Sequence, residues 1–164
     1  MSHLTFFIEL PPYLAQWYRH RCGGADPILP VRTSYESNII EEFITKRPAD
    51  MAPQIAPKPG EVAIAIPSFR GRPPEYYNYM PPKALDLLRE SIKVDFEIDM
   101  WKCFHRFSNM DKQLKGLIYA FMEKHGIEDT ETNYLAISKA YQRKRECYQK
   151  QQQRNLEKAN QEKP

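Results

Sequence analysis

Residues 83–107 read KALDLLRESIKVDFEIDMWKCFHRF, and the fold class turns on how their centre is read. Val94, Phe96, Ile98 and Met100 alternate with Asp95, Glu97 and Asp99, which is the period of a half-buried strand. Leu85, Leu88, Ile92, Phe96, Met100, Cys103 and Phe107 recur instead every three or four residues, which is the stripe of an amphipathic helix. The helical stripe runs on unbroken to either side of the alternating segment, so one long helix is expected from Lys83.

Working outward, the prolines divide the chain. Of 14, all but Pro164 lie between Pro11 and Pro82. Proline cannot donate inside a helix or a central ladder, so the first half should be strand, turn and short helix, and the second half is free to be helical. Leu4–Leu10 (LTFFIEL) and Glu61–Ile66 (EVAIAI) read as strands, with Ile28–Arg32 at an edge. Pro11-Pro12 opens a short helix through Trp17 and Tyr18 that stops at Gly23-Gly24. Thr33 and Glu36 match a capping box, with Thr33 as cap, before a helix carrying Tyr35, Ile39, Ile40, Phe43 and Ile44.

Beyond residue 107, Ser108 and Asp111 mark the start of a helix with the stripe Leu114, Leu117, Ile118, Phe121, Met122 and His125. Gly126 ends it, and Ile127 folds back. A last helix from about Asn133 buries Tyr134, Ile137 and Tyr141, and beyond Tyr148 the chain is almost wholly polar. The expected fold is α+β: a small N-terminal sheet packed with helices, then a C-terminal helical hairpin resembling a helix-turn-helix. The expected divisions are 1–107 for the core, 108–150 for the hairpin and 151–164 for a polar tail, frayed or an exposed helix.

Composition narrows the function. No apolar stretch approaches the 18 residues of a membrane span, and Met1-Ser2-His3-Leu4 lacks the basic region of a secretory signal. Three widely spaced cysteines, Cys22, Cys103 and Cys147, fit a reducing compartment, so a cytoplasmic protein without a membrane partner is expected. The charge is uneven. Residues 139–164 hold eight basic side chains against three acidic ones, whereas the other 138 residues hold 16 against 18.

The last helix therefore carries the functional expectation. Docked by its tyrosines, it would turn Lys139, Gln142, Arg143 and Glu146 outward, with Lys144 and Arg145 beside them. Such a face can neutralise phosphates and reach base edges in a major groove. Non-catalytic nucleic-acid binding, DNA ahead of RNA, is expected through Lys139, Gln142, Arg143, Lys144, Arg145 and Lys150, with Arg154 adding phosphate attraction.

The run Leu117–Arg145, LIYAFMEKHGIEDTETNYLAISKAYQRKR, covers about a sixth of the chain. It resembles the C-terminal part of small uncharacterised proteins carried by phages and other bacterial mobile elements. In those, a helix ending in a Gly-Ile turn precedes one closing on K-x-Y-x-R-x-R. The resemblance implies a mobile-element setting and a DNA partner.

Two alternatives stand beside this reading. One is an assembly module, in which the same helix makes a homo-oligomer through Tyr141, Tyr148 and Leu156. The other is a metal-dependent enzyme using Asp95, Glu97 and Asp99. No cofactor or metal site is expected. His20 and Cys22, like Cys103 and His105, are separated by one residue, short of the usual zinc spacing. No glycine-rich phosphate loop is present. Arg70 and Arg72 with Tyr76, Tyr77 and Tyr79 are expected to pin a loop rather than bind.

Overall fold

A computed structural model describes residues 4–161. Met1-Ser2-His3, on which the reading of the N-terminus rests, residues 162–164 and the Phe107 side chain lie outside the described residues.

The pivotal segment is helical. α3 spans Pro82–Phe104, with a proline in its first turn where no amide partner is lost. A strand would place Val94, Phe96, Ile98 and Met100 on one face. Instead Phe96 and Met100 are 0% exposed, while Val94 and Ile98 are 41% and 40% exposed. The buried stripe is Ala84, Leu88, Ile92, Phe96, Met100 and Phe104. It keeps to steps of four and ends on Phe104, leaving Cys103 half-buried. Each large apolar side chain along it contributes roughly 1.5–3 kcal/mol on leaving water.

Around α3 the N-terminal half assembles as short pieces. β1 (Thr5–Glu9) pairs antiparallel with β3 (Glu61–Ala65), with Phe6 opposite Ile64 and Ile8 opposite Val62. The expected edge strand shrinks to one parallel bridge. Ile28 N–H donates to Ala63 C=O at 2.9 Å, and Ala65 N–H donates to Ile28 C=O at 2.9 Å. Pro27 and Pro30 flank Ile28 and bring no amide to extend the ladder. β2 (Thr45–Lys46) and β4 (Tyr77–Tyr79) form a second two-stranded sheet that the sequence did not suggest, both strands being too short to show a period.

α1 (Pro12–Arg21) lies against α3, and Gly23 and Gly24 take positive φ just past its end. α2 (Tyr35–Phe43) is capped by Ser34, not Thr33: Ser37 N–H donates to Ser34 Oγ at 3.2 Å. That one-residue shift puts Glu36 at the second helical position, where it cannot reach back as a capping box requires. Its side chain turns inward instead, 1% exposed, toward Ser91 Oγ at 3.5 Å.

α4 spans Leu114–Lys124 and begins later than Ser108 and Asp111 suggested. Residues 107–109 form a 3-10 turn, and Asn109 Nδ2 donates to the Cys103 carbonyl at 2.8 Å. The polar run thus closes α3 rather than opening α4. At the far end, Gly126 (φ 64°) donates its N–H to Glu123 C=O, and Ile127 N–H donates to Met122 C=O at 2.9 Å. This is the two-bond glycine closure of a helix, completed by the burial of Ile127 against the core.

α5 spans Glu131–Gln161, starting two residues before the expected Asn133. Thr130 Oγ1 caps it by accepting the Asn133 N–H at 3.2 Å. Its backbone runs through the expected boundary at residues 150 and 151. One apolar cluster, from Phe6 to Ala140, joins the N-terminal pieces to the hairpin. At its centre Phe96 meets the rings of Tyr13, Trp17 and Phe121 edge-on, at 5.1–5.7 Å. Among the described residues, no helix is long and apolar enough to cross a membrane.

Candidate nucleic-acid interface

Three sets of contacts hold the first half of α5. Ile137 and Ala140 are buried in the common core. At the first turn Asn133 is 2% exposed, and its Nδ2 donates to Glu128 C=O at 2.9 Å and to Gln16 Oε1 at 3.2 Å. Gln16 Oε1 also accepts the Glu128 N–H at 2.8 Å, so one amide of α1 fixes both the hairpin turn and the start of α5. Farther along, Tyr141 packs edge-on against Phe104 at 5.3 Å, and Tyr148 lies 5.4 Å from Trp101. Trp101 itself stacks on His105 at 4.0 Å.

Tyr148 makes the last of these anchoring contacts. From Arg145 to Gln161 every residue is exposed. At 1.5 Å per residue, the segment from Gln149 to Gln161 projects roughly 20 Å.

The buried face is Asn133, Ile137 and Ala140. Tyr134 and Tyr141 sit at its margins, half-buried, not at its centre as their helical spacing suggested. Tyr134 stacks on Tyr119 with ring centres 5.1 Å apart. This rotation redistributes the expected site. Lys139, Gln142, Arg143, Arg145 and Lys150 are exposed. Lys144 is not beside them: it turns toward α3 and pairs with Glu97 at 3.7 Å. With about 100° per residue, Arg143 and Arg145 stand on opposite flanks of the helix.

One flank gathers most of the charge. Lys139, Arg143, Lys150, Arg154 and Lys158 recur at steps of four or seven, which aligns them along the rod. The distal members share a shallow concavity with Cys147, Gln151 and Asn155. None of these five cations forms an ion pair among the described residues, and neither does Arg145. Lys150, Arg154 and Lys158 stand one turn apart, where like charges repel by roughly 0.2–0.5 kcal/mol per pair. A row of exposed cations, unpaired among the described residues, is a surface that a polyanion would relieve.

The other candidate residues are engaged within the fold. Asp95 accepts from Arg21 at 2.6 Å, and Asp99 accepts from Trp17 Nε1 at 3.1 Å. With Glu97 on Lys144, each of Asp95, Glu97 and Asp99 has a partner. Arg72 donates to the Glu41 and Glu42 carbonyls in the last turn of α2, and Tyr77 and Tyr79 belong to β4. Tyr76 alone of the three tyrosines stands out, at 67% exposure. Of the proposed oligomer anchors, Tyr141 and Tyr148 are docked on the aromatic cluster, and Leu156 stands alone at 64% exposure.

Sequence reasoning missed an open cleft of about 710 Å³ lined by Trp17, His20, Arg21, Asp95, Asp99 and His125. His20 and His125 rings lie 6.0 Å apart, and His125 Nε2 is 3.5 Å from Asp99 Oδ2. Burial pulls the His125 pKa below its ordinary value, against the pull of Asp99. Behind the cleft wall, burial raises the Glu36 pKa, and the neighbouring Asp95 adds to the effect. No sequence spacing announces this group, because α1, α3 and α4 bring it together only in three dimensions. Among the described residues, no three His, Cys, Asp or Glu side chains are placed to hold a metal ion.

No protein-family model, curated protein or solved structure matches this chain.

Proposed function

We propose that the chain binds nucleic acid without catalysing a reaction on it, and that α5 is the gripping element. The observation carrying this reading is the row Lys139, Arg143, Lys150, Arg154 and Lys158, exposed on one flank of a helix and unpaired among the described residues. Phosphate binding releases condensed counterions and needs just such cations. The row is presented on a rod whose base is locked into the core and whose outer part has clearance on every side.

The test is a titration of nucleic acid against wild type and Lys150→Ala/Arg154→Ala/Lys158→Ala over a range of salt concentrations. Each phosphate contact contributes about 0.9 to the slope of log affinity against log salt on a duplex. Loss of three contacts should flatten the slope by nearly 3 and weaken binding at least about tenfold. An unchanged slope in the variant, or binding indifferent to salt, would refute the proposal.

A further inference from the structure

We infer that the partner is B-form duplex DNA and that Gln151 and Asn155 read its bases from the major groove. The inference rests on the nucleic-acid reading of α5 and moves the reading residues outward, past the segment that the basic run Arg143-Lys144-Arg145 had marked.

The first argument is clearance. A helix about 10–12 Å across fills a major groove about 12 Å wide, so only a segment free on both flanks can enter. Up to Tyr148, α5 is flanked by α3 and its aromatic cluster, and a groove wall would collide with them. From Gln149 to Gln161 every side chain is exposed.

The second argument is chemistry by elimination. Single strands are held by stacking their bases on aromatic side chains. Residues 149–161, QKQQQRNLEKANQ, contain no aromatic residue. The helix's own rings, Tyr134, Tyr141 and Tyr148, are packed against Tyr119, Phe104 and Trp101. Duplex RNA offers a major groove too deep and narrow for side chains to read. B-form DNA accepts a helix and displays base edges to it.

The third argument is the arrangement within the free segment. Gln151 and Asn155 are one turn apart and share a concavity with Lys150, Arg154 and Lys158. Amide side chains make paired hydrogen bonds to adenine N6 and N7, while the flanking cations hold phosphates. Four residues of helix rise about 6 Å, close to two base-pair steps of about 3.4 Å, so the two amides address pairs two steps apart. The expected preference is for sites containing adenines two positions apart.

The experiment measures binding of the full chain to equal-length duplex DNA, duplex RNA and single-stranded DNA at low salt. Selection from a random duplex pool is run with wild type and with Gln151→Ala/Asn155→Ala. Duplex DNA should bind at least about tenfold more tightly than the other two. Wild type should enrich an adenine-containing site, and the double variant should lose that enrichment while keeping affinity for unselected duplex within about threefold, since its phosphate contacts remain. Equal or tighter binding to RNA or to single strands, or an enrichment that survives in the variant, overturns the inference and leaves the broader reading standing. Failure to bind any of the three nucleic acids overturns both.

Discussion

Between Glu131 and Tyr148, α5 belongs to the body of the protein: Ile137 is 0% exposed, and Asn133 and Tyr141 each have named partners on other elements. Between Gln149 and Gln161 the same helix carries no such partners among the described residues, and its side chains are exposed. The inner part is specified by what it packs against. The outer part is specified by charge and helix propensity alone, and a polar helix of that length is marginal in water by itself. The contrast separates a half held by its own contacts from a half whose lysines and arginines, in the proposed reading, meet a partner.

The largest effect should come from breaking the body. Phe96→Ala removes the ring on which α1, α3 and α4 converge, and should cost roughly 3–5 kcal/mol of unfolding free energy in a denaturant titration. A loss below about 1 kcal/mol would mean that the inner half is not one core.

Proton linkage gives a smaller effect confined to the same half. Glu36 is buried beside Asp95, and its pKa is raised above the ordinary 4.5. The folded chain therefore holds the Glu36 proton more tightly than the unfolded chain does. That contribution is full below the ordinary carboxyl range and is lost as pH rises through the raised value. Glu36→Gln keeps the shape and removes the titration. Measured by thermal unfolding, the variant should gain on wild type as pH rises out of the ordinary carboxyl range and through the raised value, and a constant difference would contradict the linkage. Smallest of all is the change on the free rod. Lys150→Ala/Arg154→Ala/Lys158→Ala should leave unfolding free energy within about 0.5 kcal/mol of wild type, because nothing is packed there.

The sequence made the long pieces legible and the short ones not. α3 could be chosen over a strand because its stripe outran the alternating segment, and Gly126 with Ile127 marked the end of α4. β2 and β4, with two and three residues, carry no period to read. The cap of α2 slipped by one residue because Thr33 and Ser34 are chemically alike, and only the backbone decides which hydroxyl meets Ser37 N–H.

In the site, the excess of cations was legible but their angular placement was not. Helical spacing points to Tyr134, Ile137 and Tyr141 as the buried face, and of these Ile137 is fully buried. The buried centre is Asn133, Ile137 and Ala140, because a polar hub with Gln16 and Glu128 draws Asn133 inward. That rotation turns Lys144 toward Glu97, while the helix itself, at about 100° per residue, sets Arg143 and Arg145 on opposite flanks. The partners of Asp95 and Asp99 come from α1, more than seventy residues away in sequence, beyond the reach of any local pattern.

Amide hydrogen exchange along α5, with and without saturating duplex DNA, tests the central division most directly. The free chain should exchange slowly near Asn133–Ala140 and fast from Gln149 to Gln161, and DNA should slow the outer segment selectively. Strong protection of the outer segment in the free chain, or no change there when DNA is bound, would contradict that division.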